Sequence, residues 1–177
     1  MREPDISESI RPSVVVVTWN GGPLLRECVE ALRRQTLQPE SLVVVVARPD
    51  PVPLPPDLEV IQCSEPQGYA ASVNIGAAAS PPGPLIILND DTIPDRDFIQ
   101  SLAQAHRERG VGLFSPRIML VQGPNRLDNT GHRLFFDGYN LARGRGRRAD
   151  EGASEATEAG ACSGAAFMLS SRAREQL

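Results

Sequence analysis

Residues 84–92 read Pro-Leu-Ile-Ile-Leu-Asn-Asp-Asp-Thr, and the rest of the chain is organised around this stretch. Four apolar residues run between Pro84 and the acidic group. A continuous apolar run of this length predicts a buried parallel strand, because a strand covered on both faces need not alternate. Open α/β sheets place their ligands at the carboxyl ends of the strands, which is where Asn89, Asp90 and Asp91 fall. Two adjacent carboxylates beside an amide oxygen, with the Thr92 hydroxyl next, suit a hard divalent cation better than a soft one. The alternative is a surface turn, since Asn and Asp also favour turns.

Outward from that strand, the chain alternates strand and helix signals. Upstream, Ser13 to Val17 is a β-branched run that ends at Thr18-Trp19-Asn20 and a Gly21-Gly22-Pro23 turn. Pro23 suits the first turn of a helix, and Leu24, Leu25, Cys28, Val29 and Leu32 recur at helical spacing. Leu42 to Val46 is a second buried strand, and Leu58 to Ile61 a short third one. Between them, Pro49 to Pro56 holds five prolines and excludes regular structure. Gly68 to Ala79 is a small-residue helix following Pro66-Gln67. Downstream, Asp95 is expected to cap a helix with the stripe Phe98, Ile99, Leu102, Ala103 and His106, closed by Gly110. Val111 to Phe114 is a fifth strand. This order implies an α/β fold with a mostly parallel, doubly wound sheet, helices on both faces and right-handed crossovers.

The pattern changes after Ser115. Residues 117–160 are rich in Gly, Arg, Asn and acidic residues, which predicts a long excursion with a hairpin or two rather than a separate core. Ala161 to Leu169 returns to apolar residues as a strand, leading to a helix at Ser171. The expected division is a tail over 1–11, an α/β half over 12–116, and a further, incomplete segment of the same domain over 117–177.

Composition excludes several classes. With 177 residues, 41% hydrophobic and 23% charged, the chain suits one globular domain. No apolar run approaches the roughly 20 residues of a membrane span, and the N-terminus lacks the order of a signal peptide. A cytoplasmic location is expected. The three cysteines, Cys28, Cys63 and Cys162, form no paired motif, so they predict buried thiols rather than zinc or disulfides. The net charge is −4 and only 5% of the residues are aromatic, which argues against a nucleic-acid partner; all 18 basic residues are arginine, a bias of composition. Arg143 to Arg148 is a local basic run, read either as a solvated loop or as a contact for anionic lipid or a lipid-linked diphosphate. His106 falls on a packed helix face. His132, Asp128 and Asp137 lie in the excursion as further polar candidates.

The Thr18-Trp19-Asn20 strand end, the second strand's end near Asp50 and the helix start at Gly68 converge on the edge that carries Asn89, Asp90 and Asp91. That edge describes a nucleotide pocket with a cation bridging the phosphates. In order and spacing, VVVVTWN, RRQT, QGYAASVNIG and LIILNDDT resemble family 2 glycosyltransferases of the GT-A fold. DNTGHRLF and GACSGAAFMLSSRA resemble the branch containing rhamnosyltransferases and similar cell-surface polysaccharide enzymes. The resemblance spans residues 12–177.

It implies an inverting glycosyltransferase moving a sugar from a nucleotide-diphospho-sugar to a saccharide or lipid-linked acceptor, with a peripheral contact at the inner face of the membrane. Asp91 would hold Mg2+ or Mn2+. Thr18, Asn20, Asp50, Gly68, Asn74, Gly76, Asn89 and Asp90 would line the donor site, and Ser163 and Gly164 the acceptor side. Two departures stand out. The family's base-reading Asp after the second strand is replaced by Ala47-Arg48-Pro49-Asp50, leaving Asp50 as a shifted candidate. The family's general base follows the GAAFML-like strand, and the sequence stops at Leu177 before one, so a C-terminally truncated enzyme is expected and no catalytic residue is assigned. The alternatives are a non-catalytic nucleotide-sugar-binding remnant and a sugar nucleotidyltransferase. The latter calls for a basic Gly-rich loop after the first strand, where this chain has no basic residue until Arg26.

Overall fold

The computed structural model describes residues 11–123, 125–151 and 156–176. Apart from Arg11, the predicted tail lies outside them, as do residues 152–155 of the excursion and Leu177. In chain order the elements are β1 (Ser13–Thr18), α1 (Gly22–Arg33), β2 (Leu42–Val46), β3 (Glu59–Gln62), α2 (Tyr69–Ala79), β4 (Leu85–Asn89) and α3 (Phe98–Arg109). There follow β5 (Leu113–Phe114), β6 (Ile118–Met119), β7 (Leu127–Asn129), β8 (His132–Leu134), β9 (Asn140–Ala142), β10 (Ala166–Leu169) and α4 (Ser171–Arg174).

A six-stranded sheet in the order β3-β2-β1-β4-β10-β5 forms the centre. Its first four strands are parallel, while β10 runs antiparallel to both β4 and β5. The valine runs follow from coverage on both faces, since successive side chains of a strand point to opposite sides. Val14 and Val16 of β1, with Ile86 and Leu88 of β4, pack beneath α1 and α3 through Leu25, Val29, Ile99 and Leu102. Val15 and Val17, with Leu85 and Ile87, face Val73 and Ile75 of α2 on the other side. Helices therefore cover both faces, as the sequence implies.

Three local expectations shift. The third strand lies one residue later than Leu58–Ile61, the fifth is confined to Leu113–Phe114, and the last covers Ala166–Leu169 rather than Ala161–Leu169. Asp95 does not cap α3. The position before Phe98 is Asp97, whose side chain makes no cap because its Oδ1 accepts from the Thr36 hydroxyl at 2.9 Å. The cap comes from elsewhere. Gln35, buried between α1 and β2, accepts the Ile99 amide through Oε1 at 3.0 Å and donates through Nε2 to the carbonyls of Ala31 and Asp95. One buried side chain thus ties the end of α1 to the start of α3.

The excursion forms an antiparallel ribbon. β6 pairs with β7, β8 pairs with β9, and an isolated bridge joins Arg126 to Arg148. Hydrogen bonds from Leu127 to Arg147 and from Thr130 to Arg143 connect the arms between those pairs. No helix among the described residues is long and apolar enough to cross a membrane.

Candidate active site

The parallel register brings the predicted edge together. Thr18 stands level with Val46, and Val17 with Asn89. Past those positions, the Asp90 amide donates to the Val17 carbonyl at 3.2 Å and the Ala47 amide to the Thr18 carbonyl at 2.9 Å. The Gln67 amide donates to the Ala47 carbonyl at 2.8 Å, which carries the chain along the edge to the start of α2 at Gly68.

Thr18 is the hinge of the edge. Its side chain is buried, and its hydroxyl accepts the Gly21 amide at 2.8 Å while donating to Asp90 Oδ2. Gly21 can take this position because its φ is +61° and a Cβ there would lie 2.4 Å from the Pro53 carbonyl oxygen. Asp90 is thereby pinned against β1. Burial pushes its carboxyl above the usual carboxylate range, and the adjacent Asp91 charge adds to this; the Thr18 hydrogen bond pulls the other way. Asp91 is exposed, and its carboxylate accepts no hydrogen bond among the described residues. The Asn89 carbonyl accepts the Thr92 hydroxyl at 2.7 Å and the Thr92 amide at 3.3 Å, closing the turn that turns Asp91 outward. Below it, burial raises the Cys28 thiol to about 12, so Cys28 is a neutral packing group.

The acceptor-side candidates reach the same edge. The Asn89 amide donates to the Ala165 carbonyl at 2.9 Å, and the Tyr69 hydroxyl donates to the Gly164 carbonyl. Ser163 lies beside them, its hydroxyl accepting the Ala165 amide at 3.3 Å. The segment before β10 is thus tied both to the acidic turn and to the first residue of α2.

Other candidates are placed differently. Gly76 does not face the open edge; it is the point where α2 rests on the sheet. A Cβ there would meet Val15 Cγ1 at 2.4 Å and Val45 Cγ2 at 3.0 Å, so its missing side chain serves helix packing. Asn74 is exposed midway along α2. Gly68 has an ordinary extended backbone, with open space where a Cβ would be, so it marks the start of α2 without being required there by sterics. Asn20 is exposed beyond β1. Asp50 is exposed, but its carboxylate is held by Arg48 at 2.6 Å.

The structure adds a pair that the motifs did not single out. The Arg48 guanidinium lies 5.6 Å from the centre of the Trp19 ring while binding Asp50, and Gln62 Nε2 donates to the Arg48 carbonyl. This places a cation–π pair at the ends of β1 and β2. The available signal was the chain's single Trp, directly after a strand end. In the excursion, His132 Nδ1 bonds Asn140 Oδ1 at 2.5 Å, Asp128 pairs with Arg145, and Asp137 accepts the Tyr139 amide. His106 bonds the Gly110 carbonyl and packs edge-on against Phe114, as a boundary histidine does.

Among the described residues, no group of three or more His, Cys, Asp or Glu side chains gathers as a metal site. A cation at this edge would therefore draw few ligands from the chain and the others from a bound substrate. That is common for Mg2+, which keeps waters and phosphate oxygens while taking one or two carboxylates.

Comparison with known proteins agrees with this architecture. Residues 13–177 match Glycosyl transferase family 2, and the chain belongs to that family. Solved structures share the fold. The Staphylococcus aureus TarS fragment 1–349 superposes with a TM-score of 0.54 at 16% identity, covering 76% of this chain and 43% of TarS 1–349. The mannosyltransferase PcManGT from Pyrobaculum calidifontis, in complex with GDP-Man and Mn2+, gives 0.53 at 20% identity, covering 66% and 38%. TarS 1–349 in complex with UDP-GlcNAc gives 0.53 at 17% identity, covering 64% and 36%. The chain spans less than half the length of each. A search of curated proteins returned no match. The fold is GT-A.

Proposed function

We propose that the acidic turn after β4 holds the diphosphate of a nucleotide-sugar donor in an inverting glycosyl transfer to a saccharide or lipid-linked acceptor. The observation that carries this reading is the convergence at one sheet edge of the Thr18–Asp90 hydrogen bond, the outward Asp91 carboxylate and the start of α2. Asp91, with Asp90 behind it, suits Mg2+ or Mn2+ because both offer hard oxygen ligands. When bound, such a cation supplies Lewis-acid stabilisation of the departing nucleoside diphosphate. Asp90, braced by Thr18, fixes the backbone from which Asp91 projects. Thr18 and Gly21 set the floor of the edge, Asn20 and the Trp19–Arg48 pair stand at its nucleoside end, and Ser163 and Gly164 border the acceptor side. Two neighbours of the same fold are described with GDP-Man and Mn2+ and with UDP-GlcNAc, which supports a donor of this class.

Calorimetry with Mn2+ and a panel of UDP-, dTDP- and GDP-sugars tests the reading. The expected result is metal-dependent binding of at least one donor, lost in Asp91→Ala. Absence of binding to every donor, or identical binding by Asp91→Ala, overturns it.

A second reading, donor binding without transfer, has its own observation: His132, Asp128 and Asp137 are all engaged by neighbours and none stands ready as a base. Sugar transfer by this chain to any acceptor eliminates that reading.

A further inference from the structure

The ribbon formed by residues 126–148 ends in a tip that its own fold does not require. Phe135 to Tyr139 closes β8 onto β9 as a type I turn followed by a glycine in the left-handed region: the Gly138 amide donates to the Phe135 carbonyl at 3.0 Å, and Gly138 has φ of +84°. Asp137 Oδ1 accepts the Tyr139 amide at 3.0 Å and stiffens the turn. This turn chemistry needs only Asp137 and Gly138, yet the flanking positions are apolar. Phe136 is 106% exposed and Tyr139 61%, with Leu134, Phe135 and Leu141 also exposed beside them. Among the described residues, five of the twelve exposed large hydrophobic side chains therefore fall within residues 134–141.

The charge of the ribbon differs from that of the whole chain. Residues 126–148 hold six arginines against Asp128 and Asp137, a local balance of +4 on a chain of net charge −4. Asp128 pairs with Arg145, and Asp150, just beyond the ribbon, pairs with Arg148. Arg133 lies in β8 opposite Leu141, next to the tip. Among the described residues, the guanidinium of Arg143, past the end of β9, meets the neutral Glu158 carbonyl and Thr157 hydroxyl and no carboxylate, which leaves its positive charge for an anionic partner.

We infer that the β8–β9 hairpin is a peripheral membrane anchor, whose aromatic tip enters the headgroup region of an anionic bilayer while its arginines bind lipid phosphates. Aromatic side chains partition to that interface, and basic residues near an anionic surface add electrostatic attraction. Guanidinium groups also match phosphate oxygens in a two-pronged geometry. The Asp137 charge at the tip opposes entry and is outweighed by Arg133 and Arg143 on the two arms. A rigid turn loses little conformational entropy on docking. This anchoring goes beyond the transfer reading and does not depend on it.

Vesicle co-sedimentation tests the inference, using phosphatidylcholine alone and phosphatidylcholine with about one third phosphatidylglycerol. The expected result is binding to the anionic vesicles only, weakened by added salt. Phe136→Ser with Tyr139→Ser should reduce it about tenfold or more, and Arg133→Gln about fivefold. Circular dichroism checks that these exposed substitutions leave the fold intact. Failure to bind anionic vesicles, or equal binding by the doubly substituted chain, overturns the anchor. A concentration-dependent dimer abolished by Phe136→Ser, with no vesicle binding, also overturns it and assigns the tip to a second copy of the chain.

Discussion

The sheet half and the ribbon solve opposite problems. Around β1, β2 and β4 the side chains are sealed: Val14, Val15, Val16, Val43, Val44, Ile86 and Ile87 show no exposure at all. Among the described residues of 117–160, only Leu127, Asn129, Gly131 and Ala149 are buried. The sheet takes its shape from apolar burial on two faces. The ribbon takes its shape from turns, cross-strand amides and ion pairs, and leaves most of its large apolar groups outside. The contrast assigns different work to each: the rigid half fixes a polar edge, and the ribbon presents side chains to something else.

The strongest test of that contrast is Ile87→Ala. A fully buried residue of the second face should cost roughly 2–5 kcal/mol in denaturant unfolding. If the ribbon amides lose exchange protection at a much lower free energy than the sheet amides, the two regions are energetically distinct; uniform protection would merge them.

Gly76→Ala comes next. The added methyl must displace Val15 or move α2, at a cost of roughly 1–3 kcal/mol. Under conditions where the variant remains folded, donor affinity should hold, because Gly76 packs the helix and does not line the edge. An affinity loss larger than the stability loss would return Gly76 to the pocket wall.

Thr18→Val tests how the edge is braced, with an expected cost of about 1–2 kcal/mol at neutral pH. Its sign with pH is fixed by Asp90. Because the folded carboxyl sits above its usual value, Asp90 contributes stability fully below the ordinary carboxylate range and loses it as pH rises through the raised value. Thr18 donates to the ionised form, so its removal should hurt most above that window and least below it. Urea unfolding of both chains on either side of the carboxylate range measures this. A penalty independent of pH would show that the hydroxyl does not serve the ionised carboxylate.

The smallest expected effect is at Phe136→Ser, which should leave thermal stability within about 0.5 kcal/mol of the parent, since the side chain touches little that folding buries. A larger loss would mean that the tip packs on the chain itself, and the contrast between the two regions would shrink.

What the sequence determined by itself was local. Valine and isoleucine runs bounded by Gly and Pro specified buried parallel strands and their order with the helices. The Asn-Asp-Asp group at the end of one such run specified a polar edge. These readings succeed because burial on both faces and turn chemistry are written into a few consecutive residues. Tertiary structure alone decided which partners those residues met. Thr18 reaches Asp90 across 72 positions, Gln35 caps α3 at Ile99 across 64, and Tyr69 meets Gly164 across 95. It also set β10 antiparallel between β4 and β5, turned Gly76 toward the sheet, and placed Arg48 on Trp19. No short-range pattern encodes such pairings. They exist because packing the helices onto one sheet brings residues far apart in sequence within bonding distance, where polar groups leaving water find their partners.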